Sequence, residues 1–249
     1  MSCYAPLARW YDSLTGDVPY GAFADFDEAL FAADGGEFRL LLDLCCGTGT
    51  LTWQLAERGY EMIGCDRSVD MLMQAQDKAA AGVQPPLFLC QSAEALDLYG
   101  TVDAAVCSLD ALNYLAPELL PEVFRRLHLF VRPEGLLIFD MRTPEFLRGL
   151  DGQVFVDETE DLLCLWRADF DEDSRALVYG MDLFTRRGKL WARESEEHVE
   201  YAHEPDALRR LLEQAGFREV CFRQDGPQAD RGRLWLTAKR EAEKSKIDA

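Results

Sequence analysis

Positive charge is scarce in this 249-residue chain: 26 lysines and arginines face 45 acids, for a formal net charge of −19. Nucleic acid is bound largely through phosphate neutralisation, so this balance argues against a DNA or RNA partner. It serves solubility and favours cationic ligands. No window approaches the roughly 18 consecutive apolar residues that a membrane-spanning helix needs, so no membrane partner is expected. Residues 1–11 lack an apolar core of signal-peptide length, and a cytoplasmic location follows as the expectation. No C-x-x-C pair occurs among the eight cysteines, so no metal site is expected. Cys45, Cys65, Cys90 and Cys107 lie in or beside apolar runs and read as reduced core residues. Histidine is limited to three positions. No internal repeat or low-complexity tract is visible.

What is present is organised around residues 39–52, Arg-Leu-Leu-Leu-Asp-Leu-Cys-Cys-Gly-Thr-Gly-Thr-Leu-Thr. An apolar run ends in Asp43 and Leu44. A small-residue loop with Gly47 and Gly49 follows, and Leu51, Leu55 and Ala56 then fall at helical spacing. This is a buried strand, a tight loop and a helix. In an open α/β sheet, ligands bind beyond the carboxyl ends of the strands. The two glycines permit positive φ and a close backbone approach. A dinucleotide fingerprint requires a third glycine, and Thr52 stands there. Asp43 would repel a pyrophosphate and suits a ligand carrying an ammonium group.

The same pattern of strand, acid and turn recurs. Glu61 to Asp66 is a second strand ending in an acid that can accept from both hydroxyls of a ribose. The run from Arg67 through Met71 follows it, with Ser68 placed to cap a helix over 68–81. Leu87 to Cys90 is a third strand, leading to Gln91-Ser92-Ala93-Glu94. Val102 to Cys107 is a fourth, leading through Ser108 to Leu109-Asp110-Ala111-Leu112-Asn113-Tyr114. Pro117 is expected to start an amphipathic helix. Arg132-Pro133-Glu134-Gly135 reads as a turn into a fifth strand, Leu136 to Asp140.

These motifs closely resemble those of class I S-adenosylmethionine-dependent methyltransferases, whose first motif is D-x-G-x-G-x-G. Asp43, Gly47 and Gly49 match it, and Cys45 stands where the family has its first glycine. The resemblance covers residues 37–140 well, 205–240 loosely and 1–30 through a few aromatics. It implies S-adenosylmethionine as cofactor. It assigns cofactor contacts to Asp43, Cys45, Gly47, Gly49, Asp66, Arg67, Met71, Ser92, Ala93, Ser108 and Tyr11. Met71 serves either the adenine or core packing. Ser92 stands where the family usually carries an acid, with Glu94 as a substitute acceptor. The Tyr11-Asp12 pair and the L-D-x-L-N-Y run are similar to those of bacterial members acting on unassigned substrates. The N-P-P-Y tetrad of nucleic-acid adenine and glutamine methyltransferases is absent.

The fold expected is α/β: a Rossmann-like, seven-stranded methyltransferase sheet with an inserted antiparallel β meander. Residues 1–36 form an N-terminal segment that either closes over the cofactor or caps the core. Residues 37–150 and 202–240 form the cofactor domain, and 241–249 a charged tail. Residues 151–201 alternate with period two between turn signals, and this insert is expected to cover the cleft or to pair a homodimer. Phe217 to Gln224 and Arg233 to Ala238 are expected as the reversed edge of the sheet. The acceptor is expected to be a small molecule. Tyr11, Asp110, Tyr114, His198 and His203 are the groups able to face the cleft, with Tyr114 and His198 as the catalytic candidates. A nicotinamide oxidoreductase and a non-catalytic S-adenosylmethionine-binding module are the alternatives.

Overall fold

A computed structural model describes residues 5–79 and 81–242, so Tyr4 and nearly all of the tail lie outside the described residues. The chain opens with α1 (Ala5–Ala8), α2 (Tyr11–Leu14) and α3 (Tyr20–Asp34). Then come β1 (Leu40–Leu44), α4 (Thr50–Glu57), β2 (Glu61–Asp66), α5 (Val69–Asp77), β3 (Leu87–Cys90) and β4 (Val102–Cys107). A 3-10 turn at Ala111–Tyr114 leads to α6 (Leu120–Phe130), β5 (Val131–Arg142) and α7 (Pro144–Gly149). Four strands follow, β6 (Val154–Glu158), β7 (Leu162–Asp171), β8 (Ala176–Arg187) and β9 (Leu190–Tyr201). The chain returns through α8 (Pro205–Ala215), β10 (Phe217–Arg223) and β11 (Arg233–Arg240).

The main sheet has seven strands in the order β10-β11-β5-β4-β1-β2-β3. β1 to β5 are mutually parallel. β1, β4 and β5 are apolar almost throughout because helices cover both faces. Leu41, Ala104, Val106 and Ile138 pack toward α3 and α4. Their neighbours Leu42, Ala105, Leu137 and Phe139 pack toward α6 and α8. The order reverses between β1 and β4, and that switch point opens the cleft where ligands bind.

Several local expectations are corrected. β11 alone is reversed: it is antiparallel to β5, and β10 is antiparallel to β11, so β10 runs with the parallel strands. β5 begins at Val131 and continues through the Pro133-containing stretch. Glu134 takes φ +62° there, and the register with β4 shifts between Val102 and Ala104. The stretch is therefore a bulge within a strand. A Cβ on Gly135 would lie 2.6 Å from the Asp103 carbonyl, so the bulge needs glycine. α6 starts at Leu120 with Pro121 in its first turn, leaving Pro117 in the preceding turn. α5 ends at Asp77, short of the expected Ala81.

The second sheet is an antiparallel meander in the order β6-β7-β8-β9. Its inner face carries Leu162, Cys164, Met181 and Leu183 against Leu7, Trp10 and Tyr11. The N-terminal segment is thus clasped between the meander and the main sheet. β6, absent from the alternation reading, is exposed along its whole length. Val154, Val156 and Trp191 remain exposed on the outer face, the face considered for a second copy. Among the described residues no helix is long and apolar enough to cross a membrane.

Candidate active site

The carboxyl ends of β1, β2 and β4 open into one cavity of about 320 Å³, roofed by the N-terminal segment and the meander. That is the size of a small-ligand cleft. Asp43, Cys45, Gly47, Asp66 and Arg67 line one end of it. Met71, Ser92, Ala93, Glu94 and Ser108 extend that wall, and Tyr11, Tyr114 and His198 complete the lining.

The loop after β1 alternates through left-handed backbone: Cys45 at φ +58°, Gly47 at +55° and Gly49 at +68°. Its glycines do different work. A Cβ on Gly47 would meet nothing within 4 Å, so bare backbone faces the cavity there. A Cβ on Gly49 would lie 2.9 Å from Ala75 Cβ and 3.1 Å from the Phe88 ring. Gly49 packs tightly beneath α5 and β3, where a side chain would not fit. Cys45 holds a conformation that costs an L-residue roughly 1–2 kcal/mol. Its thiol lies beside that of Cys107 and, with burial, raises the Cys107 pKa.

Asp66 organises the loop. Its Oδ2 accepts from Gly47 N at 2.9 Å and its Oδ1 from Ser68 N at 2.8 Å. Burial raises its pKa, and the Ser68 and Gly47 amides pull it back. Each oxygen retains a further lone pair. Thr52, at the third-glycine position, donates its hydroxyl to Asp43 Oδ2 at 2.5 Å. Burial nevertheless pushes Asp43 up to about 7. Ser68 caps α5 by accepting from Met71 N at 3.3 Å, which sets the buried Met71 against the cavity. Ser108 Oγ is buried with no hydrogen-bond partner.

The other end is built from distant segments. β9 alternates, so Glu196, His198 and Glu200 point inward. His198 Nε2 lies 3.0 Å from Glu196 Oε2, and Glu196 Oε1 accepts from Leu7 N at 3.0 Å. Tyr114 lies beside Glu200 and draws its pKa down, and its ring stands edge-on to His198 with centroids 6.4 Å apart. His203 does not reach the cavity. Its Nε2 donates to the Leu112 carbonyl at 3.2 Å, and burial lowers its pKa.

The sequence reading missed four lining or supporting groups. Arg233 is buried beneath Asp110 and Asp140, and no local motif surrounds it. Trp166 lies in the alternating stretch 151–201, where nothing local marks it as a site residue. Glu200 was legible as inward-facing from strand alternation with His198. Asp12 was visible only as the neighbour of Tyr11. Its carboxylate accepts from Thr48 Oγ1 at 2.6 Å and Thr50 Oγ1 at 3.3 Å, and it pairs with Lys78 Nζ at 2.6 Å. Asp12 thereby ties the N-terminal segment to the β1 loop. Because it is half exposed, Asp12→Ala is expected to cost no more than about 1 kcal/mol of global stability. Limited proteolysis within residues 5–19 is expected to accelerate several-fold. Unchanged cleavage would show that these contacts do not hold the segment.

Comparison with known proteins fits this geometry. A methyltransferase-domain family model matches residues 41–135. YqeM of Bacillus subtilis, which carries a methyltransferase name, is 30% identical over 95% of this chain and 97% of its own length. The chain belongs to the class I S-adenosylmethionine-dependent methyltransferases. That membership sets aside the nicotinamide alternative. A methyltransferase structure from Clostridium acetobutylicum superposes with a TM-score of 0.83 at 24% identity, covering 96% of this methyltransferase and 100% of that chain. A sugar N-methyltransferase from a Streptoalloteichus species gives a TM-score of 0.80 at 21% identity, over 93% of this chain and 92% of that one. At those identities the likeness is one of fold.

Proposed function

We propose that this methyltransferase holds S-adenosylmethionine along the β1–β2–β3 end of the cavity and methylates a small molecule at the Tyr114–His198 end. One observation carries the reading: the loop built to approach a ligand and the aromatic, acid-backed wall share a single roofed cavity. The residues present fit the cofactor. Gly47 leaves backbone open to it, and Ser108 Oγ is a buried polar atom still to be partnered. Asp66 would accept from the ribose hydroxyls, and Met71, Ser92 and Ala93 would bound the adenine. Asp43 would face the ammonium of the methionine part. When bound, S-adenosylmethionine supplies a methyl group made electrophilic by the sulfonium. The protein then contributes alignment and exclusion of water, and holding a near-attack geometry is worth roughly 7–11 kcal/mol.

Titration calorimetry with S-adenosylmethionine and S-adenosylhomocysteine, with NAD as control, tests this. Micromolar binding of the sulfur ligands and none of NAD is expected. A folded protein that binds neither would end the reading, and binding without turnover of any acceptor would favour the non-catalytic module. The pH dependence follows from Asp43. Its carboxylate attracts the ammonium, and burial sets its pKa at about 7. Below that pH the group is protonated and the attraction is lost. Affinity is therefore expected to rise about tenfold per pH unit below 7 and to flatten above 8. Asp43→Asn should bind more weakly and lose that pH dependence; a pH-independent Kd in the native protein would remove Asp43 from this role.

A further inference from the structure

The acceptor end has a feature that holding the cofactor does not use. Glu200 lies beneath the cavity wall, 4% exposed. Its Oε2 has no hydrogen-bond partner, and the Tyr114 side chain, which lines the cavity, lies close enough to the Glu200 carboxyl to lower its pKa. A buried carboxyl oxygen without a partner is costly unless the group is neutral or has a task. The neighbouring pair differs. Glu196 has one oxygen on His198 and the other on the Leu7 amide, so both are engaged and the pair acts as a clamp. Of these two glutamates, Glu200 keeps an oxygen able to receive a proton.

The surroundings select the proton's source. Trp166, Tyr11 and Tyr114 line the same cavity, and aromatic rings attract cations. Asp110 lines the cavity together with Arg142 and Arg233, which it pairs with at 3.6 and 2.6 Å, so its charge is already balanced and a cation is left to the aromatic rings and Glu200. We propose that the acceptor is an amine, taken up as its ammonium, and that its proton leaves through the Tyr114 hydroxyl to Glu200. This rests on the methyl-transfer reading above. Tyr114 passes its hydroxyl proton to the Glu200 carboxylate and takes one proton from the nitrogen. The N–H electron pair stays on nitrogen as the nucleophilic lone pair, and the proton ends on Glu200. Tyr114 touches the substrate, whereas Glu200 acts through it.

The acid–base match favours nitrogen over oxygen. Burial, reinforced by Asp110, pushes Glu200 up to about 8, against the lowering effects of Tyr114, Arg142 and Arg233. From β8, Tyr179 also faces it, with its own pKa raised by burial and by Glu200. Handing a proton from an alkylammonium, with a pKa near 10, to such a group is unfavourable by about a hundredfold. From a hydroxyl of water-like acidity the penalty is about 10⁸-fold.

The test uses the full chain saturated with S-adenosylhomocysteine and needs no turnover. Sarcosine, ethanolamine and glucosamine are the amine probes; ethylene glycol and glucose are the hydroxyl controls. Each is titrated calorimetrically in phosphate and in Tris, and the difference in enthalpy counts protons released. At pH 7 Glu200 is mostly protonated, and an arriving ammonium favours its ionised form. At least one amine is expected to bind with release of close to one proton, and at least tenfold more tightly at pH 8 than at pH 6. Glu200→Gln should lose both effects, and Glu200→Asp should restore part of them. Should Glu200→Gln fail to fold, Tyr114→Phe carries the same test, with proton release expected to fall. Two outcomes overturn the proposal: amines that bind no better than the alcohols, or proton release unchanged in a folded variant. Failure of S-adenosylhomocysteine to bind would instead strike the methyl-transfer reading.

Discussion

Asp66→Ala is expected to weaken S-adenosylmethionine binding by roughly 10²- to 10³-fold while leaving the fold intact. The carboxylate accepts two backbone amides, Gly47 N and Ser68 N. It thus joins the β1 loop to the β2 loop and still offers lone pairs to a ribose diol. Each hydrogen bond to a charged group is worth about 1.5–3 kcal/mol. Two ribose contacts and a loosened loop therefore account for the expected loss. Stability changes little because burial already raises the Asp66 pKa; removing the carboxylate removes a desolvation cost together with its hydrogen bonds. Calorimetric Kd values beside melting curves separate the two effects. A Kd within threefold of the native value would show that Asp66 does not hold the cofactor.

Arg233→Met is expected to act on stability. Arg233 is 3% exposed. It donates to Asp140, itself fully buried, and lies 2.6 Å from Asp110 Oδ1. Asp140 also accepts Leu109 N at 2.8 Å and Asp110 N at 2.9 Å. Those two residues hold consecutive left-handed conformations, φ +59° and +52°, which the buried carboxylate secures. Removing the guanidinium strands two acids, one with no access to water. Breaking a buried pair in this way costs roughly 3–5 kcal/mol, or about 10 °C of Tm for a chain of this size. Arg142→Met should cost less, since Arg142 sits 3.6 Å from Asp110 and is partly exposed. Asp140→Asn in the Arg233→Met background should recover part of the loss. A fall below about 2 °C in thermal unfolding of Arg233→Met would contradict this account of the floor.

The β1-loop wall of the cavity was legible because its signal is contiguous. A buried parallel strand is apolar on both faces, so β1 and β4 announce themselves as short apolar runs. The acid and glycines at a strand end then mark a loop that must approach a ligand. Cys45 was identifiable as the residue at the first-glycine position, and it holds a positive φ that glycine adopts without strain. Gly49 shows the limit. Two glycines two residues apart look alike in one dimension, yet one faces the cavity and the other faces Phe88, 39 residues later. Only the packing of α5 and β3 over the loop separates them. The stretch around Pro133 was read as a turn because proline and glycine punctuate turns; the sheet absorbed it as a bulge, because β4 and β11 hold the strand on both sides.

The acceptor end was visible only as parts. Strand alternation places Glu196, His198 and Glu200 on one face, but not opposite Tyr114. Nothing near Arg233 in the chain points to Asp110 or Asp140, more than 90 residues earlier. The sequence by itself determined the α/β class, the strand ends that carry the cofactor loop, and the antiparallel insert. Periodicity and turn chemistry are local properties, written within ten or fifteen residues. Tertiary structure alone decided which glycine is open to the cavity, which histidine reaches it, and which carboxylate lies behind Tyr114. Those depend on which distant segments are brought into contact, and on the burial that this contact imposes on each charge.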